Sequence, residues 1–187
     1  MTAAARPPLV LHACCAVCAG YPLVKLQAAY DPVVYFSNPN IYPRAEYERR
    51  RDECRRYAEA CGCAFAEDDC GARAWETAIK GLEGEPEGGR RCAVCFRWRL
   101  ARTAAYAKER GISFFTTTLT VSPRKKSALL LALGAELARE TPGLVFLAED
   151  FKKKDGYAKT AAIARREGFY RQNYCGCAMS IRQKPRE

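Results

Sequence analysis

Five short apolar, β-branched or aromatic runs, at Leu9–Ala13, Val33–Ser37, Ala64–Glu67, Ser113–Thr118 and Leu144–Ala148, are each followed by a segment of helical periodicity. Strands separated by helix-length crossovers pair in parallel, so the alternation predicts an α/β fold of about five mostly parallel strands flanked by helices. The helical segments run roughly over Cys18–Ala29, Pro43–Ala60, Ala72–Lys80, Cys92–Arg110, Pro123–Glu140 and Gly156–Arg166. Pro43 and Pro123 stand at helix starts, where a missing N–H costs nothing, and Gly62, Gly111 and Gly168 follow helix ends.

The chain has 187 residues, 49% hydrophobic and 28% charged. That length suits one domain with a core that needs no disulfide staples. Disorder does not fit this composition, and no apolar run approaches the ~18 residues of a membrane span. The stretch Gly81–Gly89 is the one obvious loop and is too short to divide domains.

Charge is uneven within a total of +10. Glu67–Arg90 holds seven acids and three bases, whereas about 150–187 holds ten bases and four acids, a basic C-terminal segment of net +6. Its Lys152, Lys153, Lys154, Arg165, Arg166, Arg171 and Arg182 are interleaved with Tyr157, Phe169, Tyr170 and Tyr174. Cations that meet phosphates and rings that stack on unpaired bases compose a nucleic-acid contact surface; a solvated helix face and tail has the same composition.

Eleven cysteines accompany a single histidine, His12. The N-terminal residues offer neither a long apolar h-region nor a cleavage site, so the expectation is a cytoplasmic protein, where clustered cysteines are metal ligands or redox groups more often than bridges. One histidine leaves no imidazole-rich metal site. Cys14-Cys15-Ala-Val-Cys18 follows the first strand and opens a helix, Cys92-Ala-Val-Cys95 opens the long helix before the fourth strand, and Cys175-Gly176-Cys177 lies near the C-terminus.

Segments that leave a parallel strand and open a helix gather on the carboxyl edge of the sheet, where open α/β sheets bind ligands. Amides and the dipole at the helix N-termini there favour thiolates. Cys14, Cys15, Cys92 and Cys95 form the four-thiolate ligand set of a [4Fe–4S] cluster or a structural zinc, and Cys18 is a fifth thiol free to hold a second metal or to react. Cys175 and Cys177 are too close in sequence to chelate one tetrahedral ion well. They read as a strained dithiol/disulfide pair, or else as further ligands reaching over from the tail. Cys54, Cys61, Cys63 and Cys70 read as small buried hydrophobes. No G-x-G-x-x-G follows the first strand and no P-loop occurs, so electrons reach the site by a protein or metal route.

Six collinear stretches carry a resemblance: LHACCAVC (Leu11–Cys18), SNPNIYPRAEYERR (Ser37–Arg50), GLEGEPEGGRRCAVCFRWRL (Gly81–Leu100), FFTTTLTVSPRKK (Phe114–Lys126), DFKKKDGYAKT (Asp150–Thr160) and YRQNYCGC (Tyr170–Cys177). Together they resemble the QueH family of epoxyqueuosine reductases, with Val17 in a place where that family usually has proline. The resemblance implies a Rossmann-like single domain over 1–187. It implies removal of the epoxide oxygen of epoxyqueuosine at the tRNA wobble position, the last step of queuosine synthesis. It also implies iron–sulfur ligation by Cys14, Cys15, Cys92 and Cys95, a redox pair Cys175/Cys177, and an additional mononuclear iron for which Cys18 is the candidate ligand.

The partners so implied are tRNA carrying epoxyqueuosine and an external electron donor, with no membrane. His12, Tyr157 and Asp155 are candidate proton donors by position, and Lys152–Lys154, Lys125, Lys126 and Arg171 are candidate phosphate contacts. The competing reading is a zinc-stabilised tRNA-binding module without redox activity. ATP-dependent tRNA thiolation is disfavoured, because cysteines stand where its phosphate-binding loop would follow the first strand.

Overall fold

A computed structural model describes residues 5–68 and 71–182. Cys70 and the last part of the basic segment, 183–187, lie outside the described residues. Five strands, β1 (Pro8–His12), β2 (Asp31–Phe36), β3 (Ala64–Glu67), β4 (Phe114–Thr117) and β5 (Val145–Phe146), form one sheet in the order β3-β2-β1-β4-β5. Every pairing is parallel. The chain builds outward from β1 through β2 to β3, then crosses back to lay β4 on the other side of β1. The switch point of the sheet therefore falls between the carboxyl ends of β1 and β4, with His12 in register with Thr117.

The helices are α1 (Ala16–Leu26), α2 (Arg44–Ala60), α3 (Ala72–Ala78), α4 (Arg90–Glu109), α5 (Ser127–Glu140), α6 (Gly156–Arg166) and the short α7 (Ala178–Arg182). Strand periodicity divides β1 between two cores. Leu9 and Leu11 join Val34, Phe36 and the buried faces of α1 and α2 on one side. Val10 joins Tyr35, Phe115, Phe146 and the α4 side chains Leu100, Ala104 and Ala107 on the other. Full burial of one such leucine stabilises the fold by roughly 1.5–3 kcal/mol.

On α2 the buried stripe Tyr47, Arg50, Cys54 and Tyr57 follows helical spacing, which makes Cys54 a core residue, as expected. Cys61 caps the end of the same helix. The largest departure of a helix boundary from expectation is at α5, which begins at Ser127 rather than Pro123. A 3-10 turn, Thr118–Val121, follows β4, its start capped by Thr117 Oγ1, which accepts from the Leu119 amide at 3.1 Å. The following Ser122–Lys126 segment is held as a loop by Lys152, whose Nζ donates to the Lys125 carbonyl at 2.8 Å. Among the described residues, no helix is long and apolar enough to cross a membrane.

A cysteine-lined candidate site at the carboxyl edge of the sheet

Cys14 and Cys15 follow β1 directly, so the switch point delivers them to the carboxyl edge. Cys15 is the N-cap of α1, with extended backbone, and its sulfur accepts from the Cys18 amide at 3.4 Å. That turn brings the sulfurs of Cys14, Cys15 and Cys18 within 4.8 Å of one another. Thr118 Oγ1 reaches the Cys14 sulfur at 3.9 Å, and Gln172 Nε2 donates to the Cys15 sulfur at 3.0 Å. The expected participation of Cys18 in a metal-capable group thus has a geometric counterpart.

Hydrogen bonds from Cys15 and Cys18 hold the Cys14 thiol well below its usual range, with help from Lys125 and Arg99. Its bond to the Cys14 sulfur, with burial, pushes the Cys15 thiol up to about 12, and Cys18 rises for the same reasons. The trio carries one negative charge readily and resists a second without a cation.

Cys92 and Cys95 lie in the first turns of α4. Cys92 packs with Cys14 against Phe96, Leu119 and Leu130, and its sulfur accepts from the Gly88 amide at 3.2 Å. Cys95 is buried with Trp75, Ile79 and Cys177, where burial pushes its thiol up to about 11. Neither belongs to the group of three sulfurs within 4.8 Å.

Cys175 faces a cavity of about 230 Å³ that also exposes Cys14 and Cys18. An adjoining hollow shares the wall formed by Glu87, Arg124, Lys125 and Cys175 and opens onto Cys92. Cys175 therefore stands between the two helix-opening cysteine motifs. Gly176, at φ +103, reverses the chain, and Cys177 turns inward with its sulfur 3.4 Å from that of Met179. The two thiols of this motif occupy different surroundings, one open to the cavity and one in the core. The Cys-Gly-Cys turn is docked by the Gly176 carbonyl, which accepts from the Tyr42 amide at 2.8 Å, and by an antiparallel bridge between Ile41 and Cys177.

The cavity walls are cationic: Arg50, Arg99, Arg124, Lys125 and Arg171 face it, with Glu87 the one carboxylate. Burial lowers the Lys125 ammonium pKa, but the sulfurs of Cys175, Cys14 and Cys18 outweigh it and raise the pKa overall. Arg171 and the exposed Tyr157 lie at this cavity. Lys153 is exposed without facing it, and Lys152 is engaged with backbone carbonyls. Lys126 lines the adjoining hollow, and Asp155 is exposed at the start of α6.

His12 is fully buried and both ring nitrogens are used. The Thr117 hydroxyl lies 2.8 Å from Nδ1 and the Ser37 carbonyl 3.2 Å from Nε2. Since Thr117 Oγ1 accepts from Leu119, its proton points to Nδ1, and Nε2–H donates to Ser37. Burial, then the Arg99 charge, lower the imidazole pKa to about 3. His12 is a neutral strut across the switch point, not a proton donor to the cavity.

Arg50, Arg99 and Gln172 were not singled out in the sequence. Helical spacing carried a signal for Arg99, which follows Cys95 by four residues on the stripe that also bears Cys92.

A parallel sheet whose switch-point crevice is lined with thiols and cations defines the class, an α/β protein with a cysteine-rich, cationic site. The chain belongs to the family described as epoxyqueuosine reductase QueH, whose model matches residues 9–183. It is 36% identical over 185 residues to the epoxyqueuosine reductase QueH of Streptococcus pyogenes serotype M1, covering 96% of this chain and 72% of that protein. Identity is 38% over 175 residues to the protein of that name from Histophilus somni, covering 93% and 72%. The Thermotoga maritima protein of the same name is 34% identical over 179 residues, covering 94% and 91%.

Proposed function

We propose that this chain is an epoxyqueuosine reductase that removes the epoxide oxygen of epoxyqueuosine in the tRNA wobble position and leaves queuosine, the last step of that synthesis. The observation that carries the reading is the meeting of Cys14, Cys18 and Cys175 in one cavity walled by cations. Deoxygenation of an epoxide to an alkene consumes two electrons and two protons and releases water. A Cys175/Cys177 dithiol that becomes a disulfide supplies both, and an external donor must then reduce the disulfide. Cys175 faces the substrate, and Cys177 must leave its core position to close the bond.

The donor set fits an anionic iron–sulfur group: three sulfurs within 4.8 Å, Cys92 of a second motif in the adjoining hollow, and a lining of five cations against the one carboxylate of Glu87. Cys14, Cys15, Cys92 and Cys95 would hold a [4Fe–4S] cluster, and Cys18 an additional iron. When bound, such a group supplies single electrons and a Lewis-acidic iron to the epoxide oxygen. Lys125 lines both hollows and would balance negative charge that develops on that oxygen. Arg171 and Lys153 are the proposed tRNA contacts, Arg171 lining the cavity together with Tyr157, which offers a stacking surface, whereas Lys152, first expected among these contacts, is taken up by the Ser122 and Lys125 carbonyls. Residues 1–187 would act as one reductase domain in the cytoplasm.

The test is anaerobic iron and sulfide analysis together with mass spectrometry of nucleosides from treated tRNA. Cys14→Ala is expected to lose both the brown colour and queuosine formation. Colourless protein with stoichiometric zinc and unchanged epoxyqueuosine would overturn the reading in favour of a zinc-stabilised tRNA-binding module, in which Cys175→Ser leaves function intact.

A further inference from the structure

Arg99 lies on the stripe of α4 that carries Cys92 and Cys95, and its side chain reaches back across the sheet edge to the end of β2. It is 2% exposed. Nε donates to the Ser37 carbonyl at 3.2 Å, and a terminal nitrogen donates to Asn38 Oδ1. Asn38 is itself fixed by donating from Nδ2 to the Ala13 carbonyl at 2.8 Å, one residue before Cys14. The guanidinium is thus rigidly aimed and faces the cavity that exposes Cys14 and Cys18.

Among the described residues, no carboxylate pairs with it. The acid of the same network, Asp68, accepts from Ser37 Oγ at 2.7 Å and from Arg102 on both of its oxygens. His12, occupied by Thr117 and the Ser37 carbonyl, offers it no anion, and Lys125 adds a second cation to the cavity. Two neutral acceptors do not require a full charge, and a buried charge without an anion is costly. The groups placed to balance Arg99 are the sulfur centre of the cavity it faces, where Cys14 and Cys18 lie, with Cys95 one turn before it on the same helix.

We infer that Arg99 is the fixed counter-charge of the thiolate centre, a positioning residue that sets how readily the centre accepts an electron. This rests on the iron–sulfur reading above. Each electron adds a negative charge, so a cation held at constant distance favours the reduced form and raises the midpoint potential.

The experiment is an anaerobic redox titration, followed by electron paramagnetic resonance, of the iron-loaded wild type, Arg99→Gln and Arg99→Lys, with iron and sulfide counted in each. Arg99→Gln is expected to shift the midpoint to a more negative potential at unchanged iron and sulfide. Arg99→Lys, which keeps the charge but not the fork to Ser37 and Asn38, is expected to stay near the wild type. A loaded Arg99→Gln at the wild-type potential, or an Arg99→Lys shifted as far as Arg99→Gln, would overturn the inference. If Arg99→Gln takes up no iron, Arg99→Lys decides: a near-wild-type potential supports the charge, and a negative shift sinks it. Wild-type protein without iron and sulfide defeats the cofactor reading itself, an outcome distinct from those.

Discussion

Arg50 Nη1 donates to the carbonyl of Cys175 at 3.1 Å, so a guanidinium buried on α2 holds the turn that presents the cavity-facing thiol. The same group pairs with Glu46 at 2.7 Å and lies 5.2 Å from the Tyr174 ring. Arg50→Ala leaves the largely buried Glu46 carboxylate with the Tyr170 hydroxyl as its donor among the described residues and is expected to cost about 3 kcal/mol. Alkylation of Cys175 should also become faster than in the wild type. An unchanged rate, read by mass spectrometry, would show that the turn is held by its backbone bonds alone.

Cys18 offers a separable measurement. Cys18→Ala is expected to lower iron by about one equivalent per chain while sulfide stays at the wild-type value, because a lone iron carries no sulfide. Equal loss of iron and sulfide would make Cys18 a ligand of the cluster.

His12 makes the fold acid-sensitive. In the unfolded chain the imidazole titrates near 6.5, whereas burial and Arg99 hold it at about 3 in the fold. Between these values the unfolded chain binds the proton and the fold does not, so stability falls as pH drops below 6.5, by about 1.4 kcal/mol per unit. Urea unfolding at about pH 7 and about pH 5.5 should therefore differ by about 1 kcal/mol more in the wild type than in His12→Gln. Equal differences would sink this assignment.

Gly134 on α5 faces the Phe146 ring, and a Cβ built there collides with it. Alanine at an open helix position adds stability through its propensity; here overpacking outweighs that gain. Gly134→Ala is expected to lose about 1–3 kcal/mol and several degrees in Tm, with iron uptake retained. A raised Tm would mean that the ring moves aside freely.

The basic residues should divide in tRNA binding. Lys153→Glu and Arg171→Glu are each expected to reduce the salt dependence of affinity by about one phosphate contact. Lys152→Ala instead releases the carbonyls of Ser122 and Lys125. It is expected to loosen the loop that carries Lys125 and to lower kcat more than affinity. The opposite division, by fluorescence anisotropy and steady-state rates, would return Lys152 to the contact surface.

The strands and six of the seven helices were legible because each pairs a strand-length apolar run with a helical stripe. The start of α5 was not, since Pro123 fits a helix N-terminus as well as the loop in which a distant side chain, Lys152, holds its neighbours. The cysteines announced themselves by spacing. Their surroundings did not, because Arg50 and Gln172 reach Cys175 and Cys15 across 125 and 157 residues of chain. The inward turn of Cys177 was equally hidden, for it depends on the pocket made by Trp75 and Ile79.

That 157-residue gap between Cys15 and Gln172 also sets a clock. At about 5–20 residues per second, a ribosome takes roughly 8–30 s to travel from the first cysteine motif to the strap that covers it. Until then the Cys15 sulfur lacks the hydrogen bond that Gln172 supplies in the finished fold. The last polar partner of the first thiol motif is thus also among the last residues to be made.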